Sequence, residues 1–311
     1  MSNLSRRILT AVVAIPAIVA ICIAGEIYFF LFIGIASALA LHEFYRLAKA
    51  KGAHPQIVLG LVSGFLVNLS FFHAKLQSFV SGAFMNYGVA IPFPSQAQLL
   101  LIIFLLCTVT MSLTELFRNR GSPVLNLSTS FFGILYISLF FGAFIGLREA
   151  FTPADPAVFR YFLTTIGTAD VDNVYRFGGY TVISIFSIIW ICDSAAFHFG
   201  MALGKHKLFP RVSPNKSWEG AIFGFLFAIA SAAAAKNLVL QYLSWGDAIV
   251  IGVIVGVFGQ LGDLVESLFK RDAEVKDSSG LIPGHGGVFD RFDSLLLVAP
   301  LVYVYIDFIV L

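Results

Sequence analysis

Apolar residues recur along this chain in runs of about twenty, the length a helix needs to cross roughly 30 Å of hydrocarbon, with polar positions gathered in the gaps between runs. The pattern predicts nine helical spans, at about 8–24, 27–45, 57–74, 97–116, 124–147, 180–200, 217–235, 248–268 and 294–311. The stretch 75–96 is ambiguous. It is apolar, but Gly82, Asn86, Gly88, Pro92 and Pro94 interrupt it, which leaves open a tenth span, a re-entrant element or an interfacial loop. The preference of Lys and Arg for the cytoplasmic side arbitrates. With nine spans and a cytoplasmic N-terminus, fifteen Lys and Arg fall in inside loops, and only Lys75, Arg148, Arg160, Arg176 and Lys236 fall outside. Counting 75–96 as a crossing reverses that bias, so it is not counted, and the C-terminus lies outside. The expected fold is all-α: a polytopic integral membrane protein with about nine transmembrane helices.

Composition agrees and removes whole classes of function. Of 311 residues 58% are apolar and 12% charged, with a mean hydropathy of +0.88, against roughly 25% charged in a soluble domain. A soluble or disordered protein and a nucleic-acid binder are excluded, so the lipid bilayer is the solvent. Cys22, Cys107 and Cys192 sit inside apolar runs at irregular spacing, as small buried hydrophobes, with no disulfide framework or zinc motif. Arg6 and Arg7 ahead of the first run resemble the start of a secretory signal, but no small-residue cleavage site follows, which favours a retained span. His42, His54 and His73 are scattered and suggest no metal set. Glu26, Glu43 and Asp307 are expected at interfaces or span ends, and the 33 Phe residues facing lipid.

The charges are unevenly placed. Nineteen of 38 lie between Asp193 and Asp293, about a third of the chain. Residues 1–147 therefore read as an N-terminal transmembrane bundle, 148–179 as an outside loop, and 180–311 as a C-terminal catalytic half with cytoplasmic loops. No internal repeat is found, so an inverted-repeat transporter has no support.

Within the eighth run Asp263, Glu266, Ser267 and Lys270 fall at i, i+3, i+4 and i+7, on one helix face at its cytoplasmic end. Gly252, Gly256, Gly259 and Gly262 upstream allow another helix close. One reading is an interfacial Glu266–Lys270 pair beside a packing face. The other is function, because an acid at membrane depth costs about 2.5–3.5 kcal/mol. The next residues favour function. Pro283-Gly284-His285-Gly286-Gly287 is a Cβ-poor loop whose N–H groups can reach an anion. Lys270, Arg271, Lys276 and Arg291 supply positive charge for phosphates, and Asp263, Asp277, Asp290 and Asp293 the hard oxygens Mg²⁺ prefers. Together these are the components of phosphoryl or nucleotidyl transfer.

The run Ser267-x-x-Lys270-Arg271-x4-Lys276-Asp277-x5-Pro283-Gly-His-Gly-Gly287-x2-Asp290-Arg291-x-Asp293 resembles the signature of the phosphatidate cytidylyltransferase (CDP-diacylglycerol synthase) family. Two companion segments are similar as well: Ser213-Pro-Asn215-Lys216-Ser217-Trp-Glu-Gly220 and Asp193-Ser-Ala-Ala-Phe197-His-Phe-Gly200. Asn215 and Ser217 replace the Lys and Thr common in that family. The resemblance implies a nucleotidyltransferase that joins CTP and phosphatidic acid into CDP-diacylglycerol and pyrophosphate. It further implies Mg²⁺ held by Asp263 and Asp290, a second, monovalent cation such as K⁺, and an active site facing the cytoplasm from the cell (inner) membrane. A homodimer is compatible with it.

The candidate catalytic residues are then Asp263, Asp290, Lys270, Arg271 and His285. Lys270 and Arg271 would grip phosphate, and His285 would orient one or bond the loop backbone. Lys216, at a helix start, would contact CTP phosphate. Ser213, Asn215, Lys276, Asp277, Gly286, Gly287, Arg291 and Asp193 complete the candidate substrate-binding set. Two nearby activities stay open, a CDP-archaeol synthase and a CTP-dependent polyprenol kinase. A more distant one is an ion-coupled transporter using Asp193, Asp263 and Glu266 as an ion path.

Overall fold

A computed structural model of the chain describes residues 3–85, 92–152, 155–167, 170–282 and 286–311. Its helices in chain order are α1 (Asn3–Ala24), α2 (Glu26–Ala50), α3 (Ile57–Phe71), α4 (His73–Met85), α5 (Gln96–Arg118), α6 (Pro123–Glu149), α7 (Pro156–Thr165), α8 (Val171–Leu203), α9 (Trp218–Leu238), α10 (Trp245–Asp272) and α11 (Phe289–Val310). Seven of the described helices, α2, α5, α6, α8, α9, α10 and α11, are long and apolar enough to cross a membrane. The protein is an all-α polytopic membrane protein. A two-stranded antiparallel hairpin, β1 (Lys207–Phe209) and β2 (Ser213–Ser217), is the sheet found among the described residues.

Local chemistry sets the helix starts. Ser95 caps α5 and Ser244 caps α10 in reciprocal capping boxes with Gln98 and Asp247, which satisfy N–H groups that have no intrahelical acceptor. Pro123 and Pro156 occupy first-turn positions, where their missing N–H costs nothing. Ser217 ends β2 and caps α9, its hydroxyl accepting from Gly220 N at 3.2 Å. Lys216 therefore stands one residue ahead of the cap, on a strand.

Three differences from the hydropathy reading have physical causes. The ambiguous stretch 75–96 begins with α4, which turns 86° from α3 at Phe72; its residues 86–91 lie outside the described set. The stretch 148–179, read as a loop, contains α7 and the first turns of α8, started by caps from Asp155 and Asp170. Its polar residues conceal a helix from a hydropathy window. The Phe residues do not all face lipid: Phe29, Phe141, Phe144, Phe151, Phe162 and Phe289 are fully buried, whereas Phe79, Phe117 and Phe308 are exposed. A bundle this size needs large side chains inside as well as outside, and hydropathy scores both alike. The three cysteines are buried and unpaired, as expected.

α8 and α9 form a hairpin along one side of the molecule, and α10 packs against α9 and α11. A π-helical turn, Val255–Gly259, interrupts α10 just ahead of its charged segment. Before and within it, Gly252 and Gly256 let the helix approach Ile229 and Phe225 of α9; a Cβ on Gly256 would stand 2.9 Å from the Phe225 ring. α2 reaches the same end of the bundle from the other side, where Phe44 packs against Phe269 and Phe289 with ring centroids 5.7 and 6.4 Å apart.

Candidate active site

The charged ends of α8, α10 and α11 and the β-hairpin enclose a cavity of about 590 Å³, within the roughly 300–1,000 Å³ of small-molecule sites. Asp193 from α8, Asn215 and Lys216 from β2, Asp263 from α10, and Asp290, Arg291 and Asp293 from α11 line it. Residues from three separate sequence segments thus meet at one concavity. Lys216 Nζ pairs with Asp263 Oδ2 at 2.8 Å and reaches Gln260 O at 3.4 Å. That contact ties the strand segment to the acidic helix face.

Asp263, Glu266 and Asp293 bring carboxylate oxygens within 4.8 Å of one another. Glu266 is fully buried. Its contact with Lys270 Nζ, at 2.7 Å, is ionic. Three hard anionic groups this close repel one another, and the one ammonium at Glu266 is shared with Asp290, so the donor set suits a small divalent cation.

Asp290 is held differently. It is buried, and its Oδ1 accepts from Lys270 Nζ at 2.7 Å. Its Oδ2 takes Gly287 N at 2.7 Å, Ser278 N at 2.9 Å and the Ser278 hydroxyl at 2.8 Å. Lys270 therefore lies between Glu266 and Asp290 as the shared cation of two buried acids. The resemblance pairs Asp263 with Asp290 at the metal. Both line the cavity, but the carboxylates gathered with Asp263 are Glu266 and Asp293, and Asp290 is engaged by four donor contacts.

The other candidates divide. Arg291 and Asn215 line the cavity and are exposed to it. Arg271 is directed to backbone carbonyls, with Nε donating to Val212 O at 3.4 Å and Nη1 to Val275 O at 3.2 Å, so it braces the turn after α10 against the hairpin. Lys276 and Asp277 are exposed on that turn, and Ser213 opens β2; none of the three lines the cavity. Gly286 has φ +80°, a left-handed conformation that favours glycine, and its carbonyl accepts from Ile282 N at 2.9 Å. His285 lies outside the described residues. A residue that hydropathy assigns to a span end, Glu43 of α2, is 3% exposed and directed at this loop. An acid inside an otherwise apolar run was the available signal, but nothing in the pattern connects it to a loop so distant in sequence.

Comparison with known sequences agrees with the geometry. The profile of the Cytidylyltransferase family matches residues 5–309. The chain is 31% identical to a phosphatidate cytidylyltransferase of Bacillus subtilis over 303 residues, covering 97% of both chains. It is 30% identical to one from Synechocystis over 308 residues, covering 97% of this chain and 96% of the relative. With one from Haemophilus influenzae the figure is 32% over 320 aligned positions, covering 99% and 100%.

Proposed function

We propose how the cavity works from one premise: the chain belongs to the cytidylyltransferase family. It transfers the cytidylyl group of CTP to phosphatidic acid, giving CDP-diacylglycerol and pyrophosphate. The observation that carries this reading is the single cavity in which Lys216 and Arg291 face Asp193, Asp263, Asp290 and Asp293 at the ends of apolar helices. A phosphate-rich nucleotide needs the cations, and a lipid substrate needs a site bounded by membrane helices.

In the reaction a phosphate oxygen of phosphatidic acid attacks the α-phosphorus of CTP. A new P–O bond forms as the bond to the β-phosphate breaks, and pyrophosphate leaves. Both reactants are anions, so their repulsion has to be cancelled before attack. Lys216 and Arg291, both lining the cavity, bind and orient phosphate oxygens. Lys270, fixed between the buried carboxylates of Glu266 and Asp290, adds a positive charge that cannot swing away. Asp263, Glu266 and Asp293 would hold Mg²⁺, which when bound supplies further charge for the phosphate oxygens. Asp290 keeps Lys270 and the glycine loop in place. Arg271 acts on the shape of the site, through Val212 and Val275. No side chain has to become a covalent nucleophile.

The excess of Lys and Arg in the loops at this end supports a site facing the cytoplasm, where CTP is available, in a cell membrane crossed nine times. The test supplies purified protein with Mg²⁺, CTP labelled at the α-phosphate and phosphatidic acid. Label entering lipid with release of pyrophosphate is expected, and Asp263→Ala should lose at least about 10²-fold of that rate. Lipid labelled only from γ-labelled CTP, with CDP released, would show a kinase instead.

A further inference from the structure

Glu43 belongs to the half of the chain in which the sequence shows no chemistry, yet its carboxylate collects four donors from the catalytic end. Oε1 accepts from the Ser279 hydroxyl at 2.6 Å and Val288 N at 3.1 Å. Oε2 accepts from Phe289 N at 2.8 Å and the Ser278 hydroxyl at 2.9 Å. Val288 and Phe289 begin α11, where N–H groups lack intrahelical acceptors and the helix dipole favours an anion. Glu43 is thus the cap of α11, delivered from a different helix, and it also grips the turn that follows α10.

The contact is transmitted to the cavity through Ser278. Its hydroxyl lies within hydrogen-bonding distance of both Glu43 Oε2 and Asp290 Oδ2. A hydroxyl has one hydrogen, so it serves one carboxylate at a time. Glu43 keeps three other donors meanwhile, and Asp290 keeps Lys270 and the N–H groups of Ser278 and Gly287. Gly287 provides independent support. A Cβ there would run into the Ser278 hydroxyl and the Glu43 carboxylate, so the glycine makes room for this junction.

We propose that Glu43 is a positioning residue for cytidylyl transfer: from α2 it fixes Ser278, Ser279 and the first turn of α11, and through them Asp290 and Lys270. It touches no reacting atom. The proposal rests on the transfer reading above. Misplacing reacting groups by about 1 Å can cost on the order of 10²-fold in rate, so a clamp at this junction controls turnover more than binding.

The test uses the full-length protein in lipid nanodiscs with α-labelled CTP and phosphatidic acid. Glu43→Gln keeps the shape but loses the charge and one acceptor, and kcat should fall about tenfold or more while KM for CTP stays within about threefold. Glu43→Asp, which keeps the charge, should recover part of that loss. Ser278→Ala should also lower kcat, and the double variant should be no slower than the slower single one, since both break one connection. A merely structural role predicts less folded protein with kcat per folded molecule unchanged, or additive losses in the double variant; either result overturns the proposal. Should Glu43→Gln not fold, Ser278→Ala and Ser279→Ala decide, and both within twofold of the parent would overturn it. An inactive parent would sink the transfer reading and this proposal with it. An active parent beside an unchanged Glu43→Gln sinks the proposal alone.

Discussion

Two largely enclosed cations stand at opposite ends of α2, in unlike company. Arg148, in the last turn of α6, is fully buried. Its guanidinium donates to the carbonyls of Cys22 at 2.9 Å, Tyr175 at 3.1 Å and Ile23 at 3.2 Å, and lies 4.1 Å from the centre of the Tyr175 ring. Tyr175 in turn accepts from Glu26 N, at the first residue of α2. Lys270 lies toward the far end of α2, where Lys51 faces Asp272 and Glu274. Its own partners are the carboxylates of Glu266 and Asp290, each at 2.7 Å. The direct partners of this guanidinium are carbonyls and a ring, which carry no formal charge that a ligand could replace, and they join three helices. Two carboxylates around one ammonium, beside a cavity, leave a charge balance that an incoming phosphate can change. Burial of a cation alone therefore does not mark a catalytic site; the charge of its partners does.

Substitutions can break this contrast. Lys270→Met should have the largest effect, because it leaves two buried acids facing each other without a cation. Turnover should fall by about 10²–10³-fold, and the thermal midpoint in detergent should drop as well. Arg148→Met should lower the midpoint by the equivalent of about 2 kcal/mol, because the Cys22 and Ile23 carbonyls at the end of α1 lose their donor, while activity per folded molecule stays unchanged. Equal losses of activity from both variants would erase the distinction. Lys51→Ala should do least. Its pairs with Asp272 and Glu274, at 4.0 and 3.5 Å, are solvent-exposed, so a shift within about 0.5 kcal/mol and unchanged turnover are expected.

The sequence makes local features of the site legible and hides the distant ones. Helical periodicity alone puts Asp263, Glu266 and Lys270 on one face, and Lys270 does meet Glu266 one turn away. The loops, caps and spans follow from equally local chemistry. Contacts between segments do not. Lys216 against Asp263, and Asp293 beside Glu266, depend on how helices pack. Ser278 lies 235 residues from Glu43, and no pattern in either segment refers to the other. The strand that carries Lys216 is also hidden, since Pro214 and Asn215 are poor strand residues and the hairpin around them supplies the pairing. Apolar runs identify membrane helices but leave their orientation about their own axes undetermined, which is why buried and lipid-facing Phe look alike.

The π-helical turn of α10 has a consequence for register. A turn of this kind holds one residue more than α-winding requires, and each residue advances a helix by about 100°. Before and at the start of the turn, Gly252 and Gly256 present the packing face to α9; downstream, Gly262 abuts the α11 backbone and Asp263 faces the cavity. The extra residue works as a phase shifter between those two faces. Shortening Val255–Gly259 by a single residue would carry Asp263 round by about 100°, away from Lys216, with every side chain of the site still encoded. The count of residues in that turn is as much a part of the active site as the identity of any one of them.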